Sequence, residues 1–408
     1  MEFRHASGVP PERRGASDTR WEDGMCRVLE CFGRARRARR FRAGALAATL
    51  LAAMLVAVGW HVSDMILGPD APPTLHEQRV LAVGSGRVKL SRDRESLQPG
   101  TWGLQWEDGF GWVGRVMAID AAGVEREFRP MIGTPPPGGW ASLCGVSRSA
   151  DPRSLLGMTF TGLSVPGPCG DYPAWFVPGH DSTWVIYVHG RAANRAEGLR
   201  TLGALRERGM PGLLITYRND PEAPRSPDGR YHLGLTEWQD LESAVSYALA
   251  HGARDVVIAG YSMGGQVALQ FLAHSRLAGR VRGVVLESPT LDWRAVLAQR
   301  GRVLHVPAAA TWIGEQAASL RAGLDWGQLD RLRHERGITT PILLFHCVHD
   351  RFAPVARSEA FARALPSRVT LVLVAGGNHV DAWNADPAAY ATRLNAWFDR
   401  LGAGRVPS

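Results

Sequence analysis

The chain has 408 residues, 45% hydrophobic and 21% charged, which excludes a disordered or collagen-like polymer. Its formal charge is +8, but 11 arginines and six acids in the first 42 residues carry +5 of that, so the remainder is nearly neutral and no nucleic-acid groove is expected. Five cysteines without a CxxC are too few for a disulfide scaffold.

Residues 1–42 read as a basic cytoplasmic tail that ends in RARRARRFR, six arginines in nine positions. Residues 43–60 (AGALAATLLAAMLVAVGW) contain no charge and no proline. Eighteen helical residues at 1.5 Å span about 27 Å, close to the hydrocarbon core of a bilayer. The arginine flank puts the N-terminus in the cytoplasm and everything after Trp60 outside, a single-pass signal anchor with an aromatic residue at the far interface. Two other readings stay open. One is a cleaved signal peptide, with Met25 as start and Ala57-Val58-Gly59 as cleavage site, which would make the protein secreted; the other is a buried core helix.

Residues 61–77 are polar and contain proline, and read as a linker. Residues 78–129 hold short alternating runs punctuated by glycine, the pattern of a small antiparallel β unit of about five strands. Its Trp102, Trp106 and Trp112 are expected in its core, since so small a sheet needs large side chains, with a ligand surface as the alternative. Residues 130–157 are rich in Pro, Gly and Ser and read as a connector. Cys144 and Cys169 flank the way into the next domain, 25 residues apart, and are candidates for a disulfide in an exported protein; two buried thiols are the alternative.

From 158 to 408 the signals change. A leading hairpin (MTFTGLSV, YPAWFV) precedes apolar runs at 184–188, 212–217, 255–259, 281–286, 341–345 and 369–374, with helical patterns between them. That alternation implies an α/β fold, a mostly parallel sheet with helices on both faces. The interval 294–338 is too long for one connection and reads as an inserted helical cap.

Gly260-Tyr261-Ser262-Met263-Gly264 follows an apolar strand and opens a helix, the context of a nucleophile elbow. The pentapeptide alone is a weak signal, and three other strand ends give it meaning. VIYVHGR ends in His189-Gly190-Arg191, where a loop can aim the Arg191 N–H at an oxyanion beside the N–H of Met263. PILLFHCVHD places Asp350 just past a strand, and VTLVLVAGGNH places His379 on the loop after the last one. The order Ser262, Asp350, His379 gives nucleophile, acid and base, each at a strand's C-terminal end, where sites of open α/β sheets gather. Glu287 and Asp292, after an earlier strand, are reserve acids. Tyr217 and Asp220 are possible pocket residues, and Asp381 and Trp383 either buttress the histidine loop or simply pack. No spacing of metal ligands occurs and no cofactor is expected.

On VIYVHG, GYSMGG, PILLFHCVHDRFAPV and AGGNH, about 225 residues from Trp184 onward, the chain resembles the α/β-hydrolase superfamily, in the branch of membrane-anchored or secreted esterases, thioesterases and S33/S9-like peptidases. The resemblance implies a serine hydrolase, read here as acting on an ester or thioester, and the cap together with the membrane anchor favours a small acyl ester or lipid-like substrate. One departure stands out: members usually read His-Gly-x-x-Asp before the acid, and here Cys347 replaces that glycine. A peptidase or acyltransferase of the same fold is the enzymatic alternative, although the roughly 80 residues before the fold cannot supply a prolyl-oligopeptidase propeller. A catalytically silent, tethered binding module is the non-enzymatic one.

Overall fold

The computed structural model describes residues 18–69, 77–334 and 337–403. Two units are distinguished, Met1–Val58 and Gly59–Ser408. In the first, helix α1 (Asp18–Leu67) begins. Its stretch from Arg39 on is long and apolar enough to cross a membrane, and Leu46, Leu50, Leu51, Met54 and Val56 are exposed. The helix does not stop at Trp60, where the linker was expected. His61–Leu67 holds no breaker, so the helix runs on until Gly68-Pro69, and Ile66 and Leu67 are buried in the main core. The rest of the expected linker, 70–76, lies outside the described residues.

The second unit opens with a closed antiparallel barrel. Its strands are β1 (Gln78–Gly84), β2 (Arg87–Leu90), β3 (Trp102–Trp106), β4 (Gly109–Ile119), β5 (Val124–Ile132) and β6 (Trp140–Cys144), in the order β1-β2-β5-β4-β3-β6. Strand β6 falls inside the stretch read as a connector. It is five residues long, follows three prolines and shows no alternation of buried and exposed residues, so no period betrayed it. Trp102 and Trp106 join Val80, Leu90, Leu104, Val113 and Phe128 in the barrel core. Trp112 does not: it is half-buried and packs outward on the next domain. Arg126 is fully buried here, and its guanidinium donates to the carbonyls of Ser96, Gln98, Gly100 and Gly114. Burial pushes its pKa down to about 10.

After the short helix α2 (Pro152–Leu156) comes an eight-stranded sheet: β7 (Thr161–Gly167), β8 (Gly170–Val177), β9 (Thr183–Val188), β10 (Gly212–Ile215), β11 (Asp255–Tyr261), β12 (Val281–Glu287), β13 (Ile342–Cys347) and β14 (Val369–Val374). The order is β14-β13-β12-β11-β9-β10-β8-β7, parallel throughout except at β7 and β8. Central strands are buried on both faces. In β9, Trp184, Ile186 and Val188 enter one core cluster while Val185 and Tyr187 enter the other. Helices α3 (Leu199–Ala204), α4 (Trp238–Ala250), α5 (Met263–His274), α8 (Val355–Ala364), α9 (Ala382–Ala385) and α10 (Pro387–Ala403) cover the sheet; α6 (Trp293–Val303) and α7 (Ala308–Ala322) fill the long insertion between β12 and β13. Cys144 and Cys169 are both free thiols. The first is tied into β6 and the second sits in the β7–β8 turn, so the disulfide candidate is set aside.

Arg126→Met keeps the volume of the barrel core but removes the donor to four carbonyls, that of Ser96 buried and the others partly so. Urea unfolding should show a loss of about 2–3 kcal/mol, whereas Arg115→Met on the exposed face should cost under about 0.5 kcal/mol.

Candidate active site

Strand β11 ends in a turn so sharp that Ser262 takes φ 49°, ψ −115°, a region side chains rarely occupy. Two glycines make the turn possible by allowing close approach. A Cβ on Gly264 would lie 2.0 Å from the carbonyl oxygen of Val188, and one on Gly260 would lie 2.7 Å from that of Gly264. The strained residue is held from both sides. Its N–H donates to the Glu287 carbonyl (3.0 Å), and its own carbonyl accepts from Thr290 N–H (3.2 Å). Met263 follows as the first residue of α5, and first-turn amides of a helix lack intrahelical acceptors.

Ser262 Oγ lies 2.7 Å from His379 Nε2, and His379 Nδ1 lies 2.8 Å from Asp350 Oδ2. The Asp350 carboxylate is pinned by its own turn, where Oδ1 accepts from Phe352 and Ala353 N–H, each at 2.8 Å. Its Oδ2 is also 3.3 Å from Nε2 of His346. That nitrogen is 3.1 Å from the Ala353 carbonyl, which can only accept, so it carries a proton and points it toward both oxygens. Burial pushes the Asp350 carboxyl up, but the two histidines more than offset this and hold it well below the usual carboxylate range. Cys347 sits where a glycine was expected, and the Asp350 N–H still closes the turn onto the Cys347 carbonyl at 3.1 Å. Phe352 lies against the His379 ring, centroids 4.5 Å apart.

The histidine loop is itself strained. Val380, a β-branched residue, has φ 59°, held by Ser288 Oγ on its N–H (3.2 Å) and by Arg200 Nη1 on its carbonyl (2.7 Å). Arg200 is fully buried, also donates to Asn384 Oδ1 (2.6 Å), and lies 3.8 Å from Glu197. Glu197 in turn accepts from the N–H of Gly190 at 2.7 Å. One chain of polar contacts thus runs from the His-Gly loop to the residue after His379. Sequence analysis missed both Glu197 and Arg200. They sit in an ordinary helical stretch, and nothing in its pattern marks them as buried.

Gly190 packs directly on the serine, since a Cβ there would be 3.0 Å from Ser262 Cβ. Before it, His189 is buried with Nδ1 2.9 Å from the Gly190 carbonyl and Nε2 2.9 Å from Asp220 Oδ2. Both partners only accept, so both nitrogens donate and the ring is an imidazolium. Burial alone would push its pKa down; Asp220 beside it raises the value above the usual histidine range. Tyr217 stacks on that ring at 4.5 Å and donates to the His189 carbonyl. Tyr217 and Asp220 are buried and support the loop from behind through their contacts with His189.

The reserve acids serve elsewhere. Glu287 Oε1 accepts from Ala382 N–H at 2.8 Å, and burial raises its pKa. Asp292 caps α6 through Ala295 N–H and pairs with Arg357. Asp381 accepts from Asn378 N–H at 2.9 Å, with its pKa raised to about 6, chiefly by burial. Trp383 packs on Trp112 of the barrel, ring centroids 5.3 Å apart.

The barrel reaches both active-site loops. Asn384 Nδ2 donates to the carbonyls of Thr101 (2.8 Å) and Gly145 (2.7 Å), and its carbonyl accepts from Thr101 N–H. Arg148, just past β6, donates to the Ala192 carbonyl, and its own carbonyl accepts from Asn194.

The fold that carries this site is similar to those of solved esterases. The esterase Pf2001 of Pyrococcus furiosus superposes with TM-score 0.51 at 18% identity, over 62% of this chain and 94% of that one. A profile described as the Prolyl oligopeptidase family matches residues 226–403, which hold Ser262, Asp350 and His379. The chain is a serine hydrolase of the α/β-hydrolase superfamily. An esterase from Thermogutta terrifontis is also similar, at TM-score 0.44 and 17% identity over 59% of this hydrolase and 99% of that chain. Residues 79–143, the barrel, match a domain of unknown function, DUF8805. No curated protein matches the hydrolase by sequence.

Asn384→Ala removes the side-chain hydrogen bonds from α9 to the barrel and to Arg200. In steady-state kinetics kcat should fall about tenfold with KM nearly unchanged, because a small displacement of His379 acts on the chemical step. A change confined to KM would assign Asn384 to substrate binding.

Proposed function

We propose that this hydrolase is membrane-tethered and cleaves an ester or thioester through an acyl-serine intermediate. The observation that carries the reading is the unbroken relay from Ser262 Oγ through His379 to Asp350, at 2.7 and 2.8 Å. In this mechanism Oγ attacks the substrate carbonyl while His379 Nε2 takes its proton. The oxyanion meets the N–H groups of Met263 and Arg191. The leaving alcohol or thiol departs with the proton from His379. Water then repeats the sequence on the acyl-serine and releases the acid. Asp350 keeps Nδ1 protonated and stabilises the imidazolium.

A peptidase is the second reading, favoured by the Prolyl oligopeptidase profile over residues 226–403. An amide substrate would use the same atoms, so acyl esters assayed against peptide amides separate the two; an acyl acceptor other than water would make the enzyme a transferase. A silent binding module is disfavoured because nucleophile, base and acid are all retained within hydrogen-bonding distance.

For the tether, the support is one apolar helix with six arginines before it, a flank that favours a cytoplasmic N-terminus and an exoplasmic catalytic domain. A reporter fused after Ser408 should be active only as an exported fusion; a cytoplasmic signal would reverse the orientation.

Ser262→Ala should lower kcat by roughly 10⁶ without unfolding the domain. Asp350→Asn should cost about 10²–10⁴, since an amide favours the wrong tautomer. Glu287→Gln and Asp292→Asn should stay within about tenfold if they only support the fold. A dead Glu287→Gln beside a near-normal Asp350→Asn would move the acid to the earlier strand.

A further inference from the structure

The last two turns of α1 are built into the hydrolase. Gly59 lies against Ile313 and Ala317 of α7, and Gly314 leaves room for Val62, whose Cγ1 would be 2.2 Å from a Cβ at that position. Arg321 lies over the Trp60 ring at 3.9 Å and donates to the Trp60 carbonyl, to Ser63 Oγ and to Asp64 (2.6 Å). At the very end of the helix, Arg191 donates to the carbonyls of Met65 (2.9 Å) and Gly68 (2.8 Å), and Tyr231 N–H donates to that of Leu67 (2.9 Å). A cation on the last carbonyls is the favourable end for the helix dipole. The residue that does this follows Gly190, which packs on Ser262.

The end of α1 is therefore tied to the loop that packs on Ser262. Trp60 closes the apolar stretch, and Met65 lies five residues on, about 7.5 Å along the axis. A headgroup layer is about 5–8 Å thick. Large apolar side chains are exposed on this end of α1 and on the insertion packed against it: Trp60, Met65, Leu304, Trp312 (60% exposed) and Leu320 (89% exposed). The insertion that carries the last three, residues 293–334, has six arginines and three acids. Exposed tryptophan and leucine on an insertion of net positive charge, packed on the helix that continues a bilayer-length apolar run, match an anionic lipid surface.

We infer that the α6–α7 insertion rests on the bilayer and that the substrate is an acyl ester resident in it, presented to Ser262 at headgroup level. The inference rests on the tethered serine-hydrolase reading above. Ser262 would attack the lipid's ester carbonyl, the glycerol-type or other alcohol would leave with the proton from His379, and water would release the fatty acid from the serine.

The test uses the full chain in vesicles of phosphatidylcholine and phosphatidylglycerol, with two substrates: a long-chain fluorogenic ester embedded in the vesicles and water-soluble p-nitrophenyl butyrate. The double variant Trp312→Gln, Leu320→Gln should lose about tenfold or more on the embedded ester while soluble-ester turnover and fluorophosphonate labelling stay within about twofold. A bimane on Leu320→Cys, with Cys26, Cys31 and Cys169 changed to Ser, should be quenched by headgroup nitroxide lipids; one on Met117→Cys of the barrel should not. Equal loss on both esters, no loss on either, or equal quenching at 320 and 117 overturns the inference. Failure of the underlying reading looks different. An unmodified protein that neither labels nor turns over soluble ester is no serine hydrolase, which removes the substrate assignment too. One that washes off the vesicles in carbonate is not anchored, which removes the docking.

Discussion

A histidine 117 residues downstream of its serine has to stop 2.7 Å from it, and most of the architecture around the site serves that distance. The serine is fixed first. Its left-handed backbone, the missing side chain at Gly264 and the Glu287 carbonyl on its N–H leave Oγ little freedom. The histidine has no such elbow. It rides on a loop after β14, a strand at the sheet's edge, and its position depends on what grips Val380 and α9.

The grip is electrostatic and buried. Arg200 joins the histidine loop to Glu197, Glu197 joins the His-Gly loop, and His189 is paired with Asp220 beneath it. Ion pairs taken out of water seldom add much stability, because desolvation offsets their attraction. What they do supply is direction. Each of these groups has donors and acceptors that fit one loop geometry only, and a side chain in the wrong place would leave a charge unpaired. The barrel extends the same scheme. Through Asn384, Trp383 and Arg148 it contacts both loops, so a unit matched only to a domain of unknown function is structurally continuous with the active-site walls.

Much of the sheet was legible because a central strand buried on both faces has to be apolar along its length, and six such runs stand out between helical patterns. The elbow was legible because close approach demands both its glycines, Gly264 against Val188 and Gly260 against Gly264. Other features left no trace. Strand β6 is too short to show a period. The continuation of α1 past Trp60 reads as polar because only Ile66 and Leu67 of that stretch enter the main core. Tyr217 and Asp220 stand out in the sequence only as a strand end, and their ties to His189 and Tyr231 come from other parts of the chain. Glu197 and Arg200 became visible only with partners from elsewhere in the chain, which no local pattern encodes.

The account stands or falls on whether Ser262 is the activated nucleophile. The direct measurement is peptide mapping by mass spectrometry after reaction with a fluorophosphonate. The account predicts a single covalent adduct on Ser262, formed quickly in the unmodified protein and at least about a hundredfold more slowly in His379→Ala, which has lost the base. An adduct on another residue, or labelling of Ser262 that does not depend on His379, would contradict it.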